Sequence, residues 1–255
     1  METWNDNGQK LAYTVFGNSD RVIVWGHGWG LGRQSLEPLA RQLEGKFSHC
    51  LLDFPGFGDS PIPETAWTVQ DYADLSARFI KTRFGGEKII WAGHSFGGRV
   101  GIKLAAQYPE IIDKLFLLSA AGLPVKKSFR QRALTNLRIR LYKTLKYFVR
   151  NERDLEDLRK KFGSADYKSA GPLRKTFLNV INEDLSRDAQ AVKCPVMLVY
   201  GENDIETPLE IGKKFNLLIE KSKLISLPYQ DHYSVLQDGR HQVLNLLIEL
   251  LEEKS

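Results

Sequence analysis

Gly93-His94-Ser95-Phe96-Gly97 is the segment of this chain best suited to covalent chemistry, a serine with glycines two positions before and two positions after it. The apolar run Lys88-Ile89-Ile90-Trp91-Ala92 ahead of it reads as a strand. Phe96 to about Tyr108 reads as a helix, with Val100, Leu104, Ala105 and Tyr108 at helical spacing. Only a very sharp turn joins two such elements. A serine at its apex takes a strained backbone that pushes its hydroxyl out of the sheet, and the flanking glycines remove the side chains that would collide there. Ser95 is therefore a candidate nucleophile, and Gly98 extends the small-residue patch for close helix packing.

The elements that must hold this turn alternate along the chain. Strands are expected at Arg21 to Trp25, His49 to Asp53, Lys88 to Ala92, Leu115 to Ser119, Val196 to Gly201 and Lys223 to Leu227. Helices are expected at Arg33 to Leu43, Val69 to Thr82, Phe96 onward, Leu209 to Ile219 and Gly239 to Glu252. Short apolar strands separated by helices imply an α/β fold, a mostly parallel sheet covered on both faces. In such sheets reactive groups gather in the loops after the strands. Four of these loops carry chemistry: Gly26-His27-Gly28-Trp29-Gly30, the Ser95 turn, Glu202-Asn203-Asp204 and Asp231-His232-Tyr233.

With Ser95, Asp204 and His232 in that order and a His-Gly loop upstream, the chain resembles the α/β-hydrolase superfamily over essentially its whole length. The resemblance implies that Ser95 attacks a carbonyl carbon, His232 takes its proton and Asp204 fixes the imidazole. Glu202 and Glu206 compete with Asp204 on the same loop, and the family pattern with the Asn203-Asp204 turn favours Asp204. Of the five histidines, His232 alone follows the last expected strand. His27-Gly28-Trp29-Gly30 resembles the family's oxyanion loop, which makes the backbone N–H groups of Trp29 and Phe96 the donors to the developing O⁻. His27, Gly28 and His94 are then expected beside the substrate, His27 more as a loop brace than as a second base. The stretch from Asp53 to Ser60 resembles a supporting loop of the family. No metal and no organic cofactor are implied.

A dinucleotide fold would use the same glycines, since Gly26-x-Gly28 follows a strand and Asp53 ends the next one. It fails at the third glycine, where Leu31 stands. Relatives with the same three residues cleave esters, thioesters or lactones, or carbon–carbon bonds of ring-fission products. The carbon–carbon hydrolases usually have Asn before the serine, where this chain has His94.

Between the two halves of the sheet the chain changes character. Residues 124–175 hold sixteen Lys or Arg against five Asp or Glu, whereas the whole chain carries only +5, so the remainder is net acidic. Phe129, Ala133, Leu137, Leu141, Leu145 and Phe148 form a helical apolar stripe within it, and Leu173, Phe177, Val180, Ile181 and Leu185 suggest a second helix. By resemblance residues 124–188 are a basic helical cap inserted into a core of 1–123 and 189–255. A basic face suits an anionic substrate, an acidic partner such as an acyl carrier protein, an acidic membrane surface, or solvent alone. The His-Gly-Trp-Gly loop with a basic cap is similar to carboxylesterases acting on the methyl ester of a carrier-bound pimeloyl chain, although those carry Trp and Leu around the serine. No aromatic residues are interleaved for nucleic-acid stacking. The 42% hydrophobic composition over 255 residues suits an ordinary globular chain, and no apolar run reaches the roughly 20 residues of a membrane span. With no basic, apolar leader at Met1, a cytoplasmic address is expected. The two cysteines, Cys50 and Cys194, read as small buried hydrophobes, with a disulfide possible but not required.

Overall fold

The computed structural model describes residues 1–124 and 169–253, with isolated positions 140, 141, 144, 145, 147 and 167 between them. The apolar stripe expected from Phe129 to Phe148 lies for the most part outside the described residues. Eight strands form one sheet: β1 (Glu2–Asp6), β2 (Gln9–Phe16), β3 (Val22–Gly26), β4 (Ser48–Asp53), β5 (Ile89–His94), β6 (Ile112–Leu118), β7 (Val196–Gly201) and β8 (Ser222–Leu227). Their spatial order is β1-β2-β4-β3-β5-β6-β7-β8. Strand β2 runs antiparallel to both neighbours, and the rest of the sheet, from β4 to β8, is parallel.

The N-terminal hairpin β1–β2 was not expected from the sequence. Its register, Asp6 opposite Gln9, leaves Asn7-Gly8 as a two-residue turn with φ of 50° and 92°. Both central residues at positive φ match the twist of paired strands, and Asn-Gly is the sequence that tolerates it. The helix expected over Arg33 to Leu43 is also corrected. A 3₁₀ turn at Arg33–Ser35 precedes α1 (Glu37–Arg41). Pro38 lacks the N–H that a continuous helix would donate to the Gln34 carbonyl, so the first turn cannot run on.

Five further described helices matter for the site: α2 (Val69–Phe84), α3 (Phe96–Gln107), α4 (Arg174–Asn182), α5 (Ser186–Ala191) and α6 (Leu209–Leu218), with α7 (Arg240–Glu252) closing the chain. Side chains along the central strands alternate between two cores. Val24, Trp91, Leu117 and Leu198 point to the side holding α2, α3 and α6, whereas Trp25, Ile90, Phe116 and Val199 point to the side holding α1 and α7. That alternation within unbroken apolar runs is what a sheet buried on both faces requires. Helix α2 begins with a capping box in which Thr68 and Asp71 satisfy each other's backbone N–H groups, and ends at Gly85 in the left-handed region. Cys50 is buried and Cys194 half-buried, and both are free thiols. No helix among the described residues is long and apolar enough to cross a membrane.

Candidate active site

Strand β5 runs two residues further than the apolar run suggested, pairing Gly93 and His94 with Leu117 and Leu118, and so delivers Ser95 directly to the start of α3. Ser95 has φ 50° and ψ −103°, a conformation L-residues seldom adopt. Close backbone contacts maintain it. The Ser95 N–H donates to the Leu118 carbonyl at 2.9 Å, and the Ser95 carbonyl accepts from Gly98 and Arg99 at 3.1 and 3.2 Å. A Cβ on Gly97 would lie 1.9 Å from the Gly26 oxygen, and one on Gly93 would lie 2.4 Å from the Gly97 oxygen. The glycines are there because backbone occupies the space of a side chain.

The acid and the histidine come from the ends of β7 and β8. Asn203 donates its N–H to the Gln230 carbonyl at 2.9 Å, and Gly201 leaves room for that carbonyl, which a Cβ would meet at 2.3 Å. This stitching brings Nδ1 of His232 to 2.8 Å from Oδ2 of Asp204. Asp204 is buried, and Oδ1 accepts the N–H groups of Glu206 and Thr207 at 2.9 and 2.8 Å. Burial pushes the carboxyl upward, but the His232 contact and the Thr207 N–H outweigh it and hold Asp204 below the usual carboxylate range. A carboxylate can only accept, so Nδ1 of His232 carries the proton and Nε2 presents its lone pair. Nε2 has Oε2 of Glu206 at 3.5 Å. Asp231 is exposed and caps its own loop, accepting N–H groups from Tyr233 and Ser234.

Ser95 and His232 line one cavity of about 360 Å³ with Trp29, Phe96, Thr207 and Glu206, walled on its other side by Arg99, Leu123, Phe177 and Val180. Among the described residues the Ser95 hydroxyl makes no hydrogen bond; catalytic contacts of this kind often close only around substrate. The rings of Trp29 and Phe96, the two residues expected to supply the oxyanion donors, meet edge to face at 5.5 Å. Phe96 opens α3, where an N–H has no helical acceptor of its own.

His27, Gly28 and His94, expected beside the substrate, do not line this cavity. His27 is fully buried, accepts the Phe54 N–H on Nε2 at 3.0 Å and has Nδ1 2.7 Å from the Gly28 oxygen. Burial lowers its pKa to about 4, so it is a neutral brace. His94, also buried, donates from Nε2 to the His232 carbonyl at 2.9 Å, and burial beside His232 lowers it to about 3. Gly28 is what lets it fit, since a Cβ there would lie 2.7 Å from Nδ1 of His94. His27 and His94 brace the loops behind the cavity, and Gly28 gives His94 its room. Below the Trp29 loop, Asp53 is fully buried and bonds the Arg33 side chain, the Arg33 N–H at 2.6 Å and the Asp59 N–H at 2.9 Å.

Thr207 and Arg99 were not singled out from the sequence. Thr207 follows the acid by three residues, where a hydroxyl can turn back on the carboxylate, and Arg99 interrupts an otherwise uncharged first turn of α3. Among the described residues no group of three or more His, Cys, Asp or Glu could hold a metal ion.

Residues 21–238 match the family model described as alpha/beta hydrolase fold. The chain is 28% identical to the AB hydrolase superfamily protein YisY of Bacillus subtilis, over 83% of this chain and 85% of that protein. It is 25% identical to the pimeloyl-[acyl-carrier protein] methyl ester esterase of Nitrosomonas europaea, over 85% and 90% of the two chains. A thermophilic esterase from Thermogutta terrifontis shares the fold with a TM-score of 0.72 at 20% identity, covering 98% of this chain and 96% of that one. With that match and the strand order above, this chain belongs to the alpha/beta hydrolase fold family.

Proposed function

We propose that the protein is a serine hydrolase that cleaves a carboxylic ester through an acyl-enzyme. Ser95 Oγ attacks the carbonyl carbon as Nε2 of His232 removes its proton, and Asp204 stabilises the resulting imidazolium. The oxyanion of the tetrahedral intermediate receives the N–H groups of Trp29 and Phe96. Collapse breaks the bond to the alcohol, which leaves with the proton held on Nε2. A water molecule then attacks the Ser95 ester with His232 again as base, releasing the carboxylic acid and restoring the hydroxyl.

The observation that carries this reading is the positive-φ serine facing the same cavity as the 2.8 Å His232–Asp204 pair. A fluorophosphonate probe should form an adduct on Ser95, and a panel of p-nitrophenyl esters should be turned over by the native protein and not by Ser95→Ala. Turnover that survives Ser95→Ala refutes the reading, and preference for a ring-fission dienoate over every ester would move it to carbon–carbon cleavage.

The basic segment 124–175 extends the proposal to an acidic acyl carrier protein as the bearer of the acyl chain. Reversing the charges at Arg138, Arg140 and Lys143 should raise KM for an acyl-carrier substrate while sparing a small soluble ester. Equal effects on both refute the partner.

A further inference from the structure

We infer that Arg99 is the anion-binding residue of the Ser95 cavity, and that the substrate carries a free carboxylate set apart from its scissile carbonyl. The inference rests on the ester-hydrolase reading above and names the substrate class of the same site.

Arg99 lies one helical turn beyond Ser95, about 6 Å along α3, and it lines the cavity with only 8% of its surface exposed. Nη1 donates to the Glu183 carbonyl at 3.0 Å, and among the described residues that is its only hydrogen bond. A guanidinium offers five N–H groups in a rigid fork. None of its other nitrogens is sealed without a partner, so each keeps some access from the cavity side. Nearby carboxylates are committed elsewhere. Glu183 pairs with Lys103 at 2.8 Å and accepts the Val69 N–H, and Asp184 accepts from Ser186.

Arg33 supplies the contrast. It is equally buried, and it is fully paired inside the protein by Asp53 and Asp59. A structural arginine in this fold is given contact counterions; Arg99 makes no contact ion pair, the Glu183 and Asp184 carboxylates act on it only at a distance, and burial outweighs them and lowers its pKa to about 10. It remains a cation at neutral pH, and a carboxylate entering the cavity would complete a charge-assisted, bidentate pair.

The cavity also sets the direction of the ligand. Glu206 stands at the histidine end, 3.5 Å from Nε2, and repels an anion there. Arg99 is tied to the C-terminal end of α4, beside Val180 and Ile181. The carbonyl therefore belongs at Ser95, the free carboxylate at Arg99, and a short apolar chain between them.

The test uses matched p-nitrophenyl esters: the monoester of a straight-chain dicarboxylic acid, and the same molecule with its far carboxyl capped as an amide. The native protein should prefer the acid by at least about tenfold in kcat/KM, the scale of one desolvated charge pair. Arg99→Gln should collapse that preference, chiefly through KM, and Arg99→Lys should keep part of it. A preference ratio unmoved by Arg99→Gln overturns the inference. Should Arg99→Gln fail to fold, competitive inhibition of the native enzyme decides: a free dicarboxylate must inhibit more strongly than its diamide, and equal inhibition overturns the inference. If neither ester is cleaved, calorimetry on Ser95→Ala separates the two claims. Tighter binding of the acid than of its amide then keeps the anion site while the hydrolase reading falls, and equal binding removes the anion site as well.

Discussion

Thr207 Oγ1 lies 3.1 Å from Nδ1 of His232 and also touches Asp204 Oδ2 at 2.9 Å and the Ser119 carbonyl at 3.0 Å. The hydroxyl has one proton to give and lone pairs to receive with, so it steadies the acid and the imidazole together. Thr207→Val keeps the shape and deletes the hydroxyl. Losing one buried hydrogen bond, about 1–2 kcal/mol, should lower kcat for a p-nitrophenyl ester by roughly tenfold with KM little changed. A kcat equal to that of the native protein would show the hydroxyl to be packing only.

Two acids flank the histidine in sequence or in space, and their roles separate by substitution. Asp204→Asn should cost on the order of 10³–10⁴ in kcat, because the amide favours the wrong imidazole tautomer. Asp231→Asn keeps an oxygen that can accept the same loop N–H groups and should cost less than about tenfold. Steady-state kinetics of the two variants, side by side, check the assignment of the acid.

His27 and His94 are buried and neutral, with pKa values lowered to about 4 and about 3. The unfolded chain binds a proton on each below about 6.5, while the native state does not, so unfolding takes up protons and stability rises with pH in this window. Between about pH 7 and pH 5 the protein should lose roughly 3–4 kcal/mol from these two groups. Asp204, held below its ordinary range, contributes only at lower pH still. Chemical denaturation across that range checks the slope, to which buried His49, also lowered, adds in the same direction, and His94→Asn should remove about 2 kcal/mol of the loss.

Glycine substitutions separate close packing from backbone freedom. Gly97→Ala would force a methyl group to 1.9 Å from the Gly26 oxygen and should destabilise by more than about 4 kcal/mol or abolish folding. Gly30→Ala meets nothing within 4 Å and bears only the cost of φ 75°, about 1–2 kcal/mol. Thermal melts of the two proteins give the comparison.

The central sheet was legible because its strands are contiguous apolar runs, and the Ser95 turn because glycine spacing records a steric demand directly. The β1–β2 hairpin was not, since β1 at the sheet edge holds a single large apolar residue, Trp4, among polar ones, although Asn7-Gly8 marked the turn. The loops after the strands and the family pattern named Asp204 and His232, whose side chains lie 2.8 Å apart. Spacing could not say that Asp53 and Arg33 pair beneath the Trp29 loop, twenty residues apart, or that His94 points away from the cavity to hold the histidine loop. Arg99 was overlooked because a cation in a helix ordinarily reads as solvent-facing, and only the folded structure shows it buried without a contact ion pair.

Ser95 is rooted at the middle of the sheet, at the end of β5 beside β6, whereas its proposed base follows β8, an edge strand that is only partly buried. Warming should therefore fray that margin first. The enzyme would lose its proton acceptor while the serine elbow still stood intact, so that inactivation runs ahead of global melting and reverses on cooling.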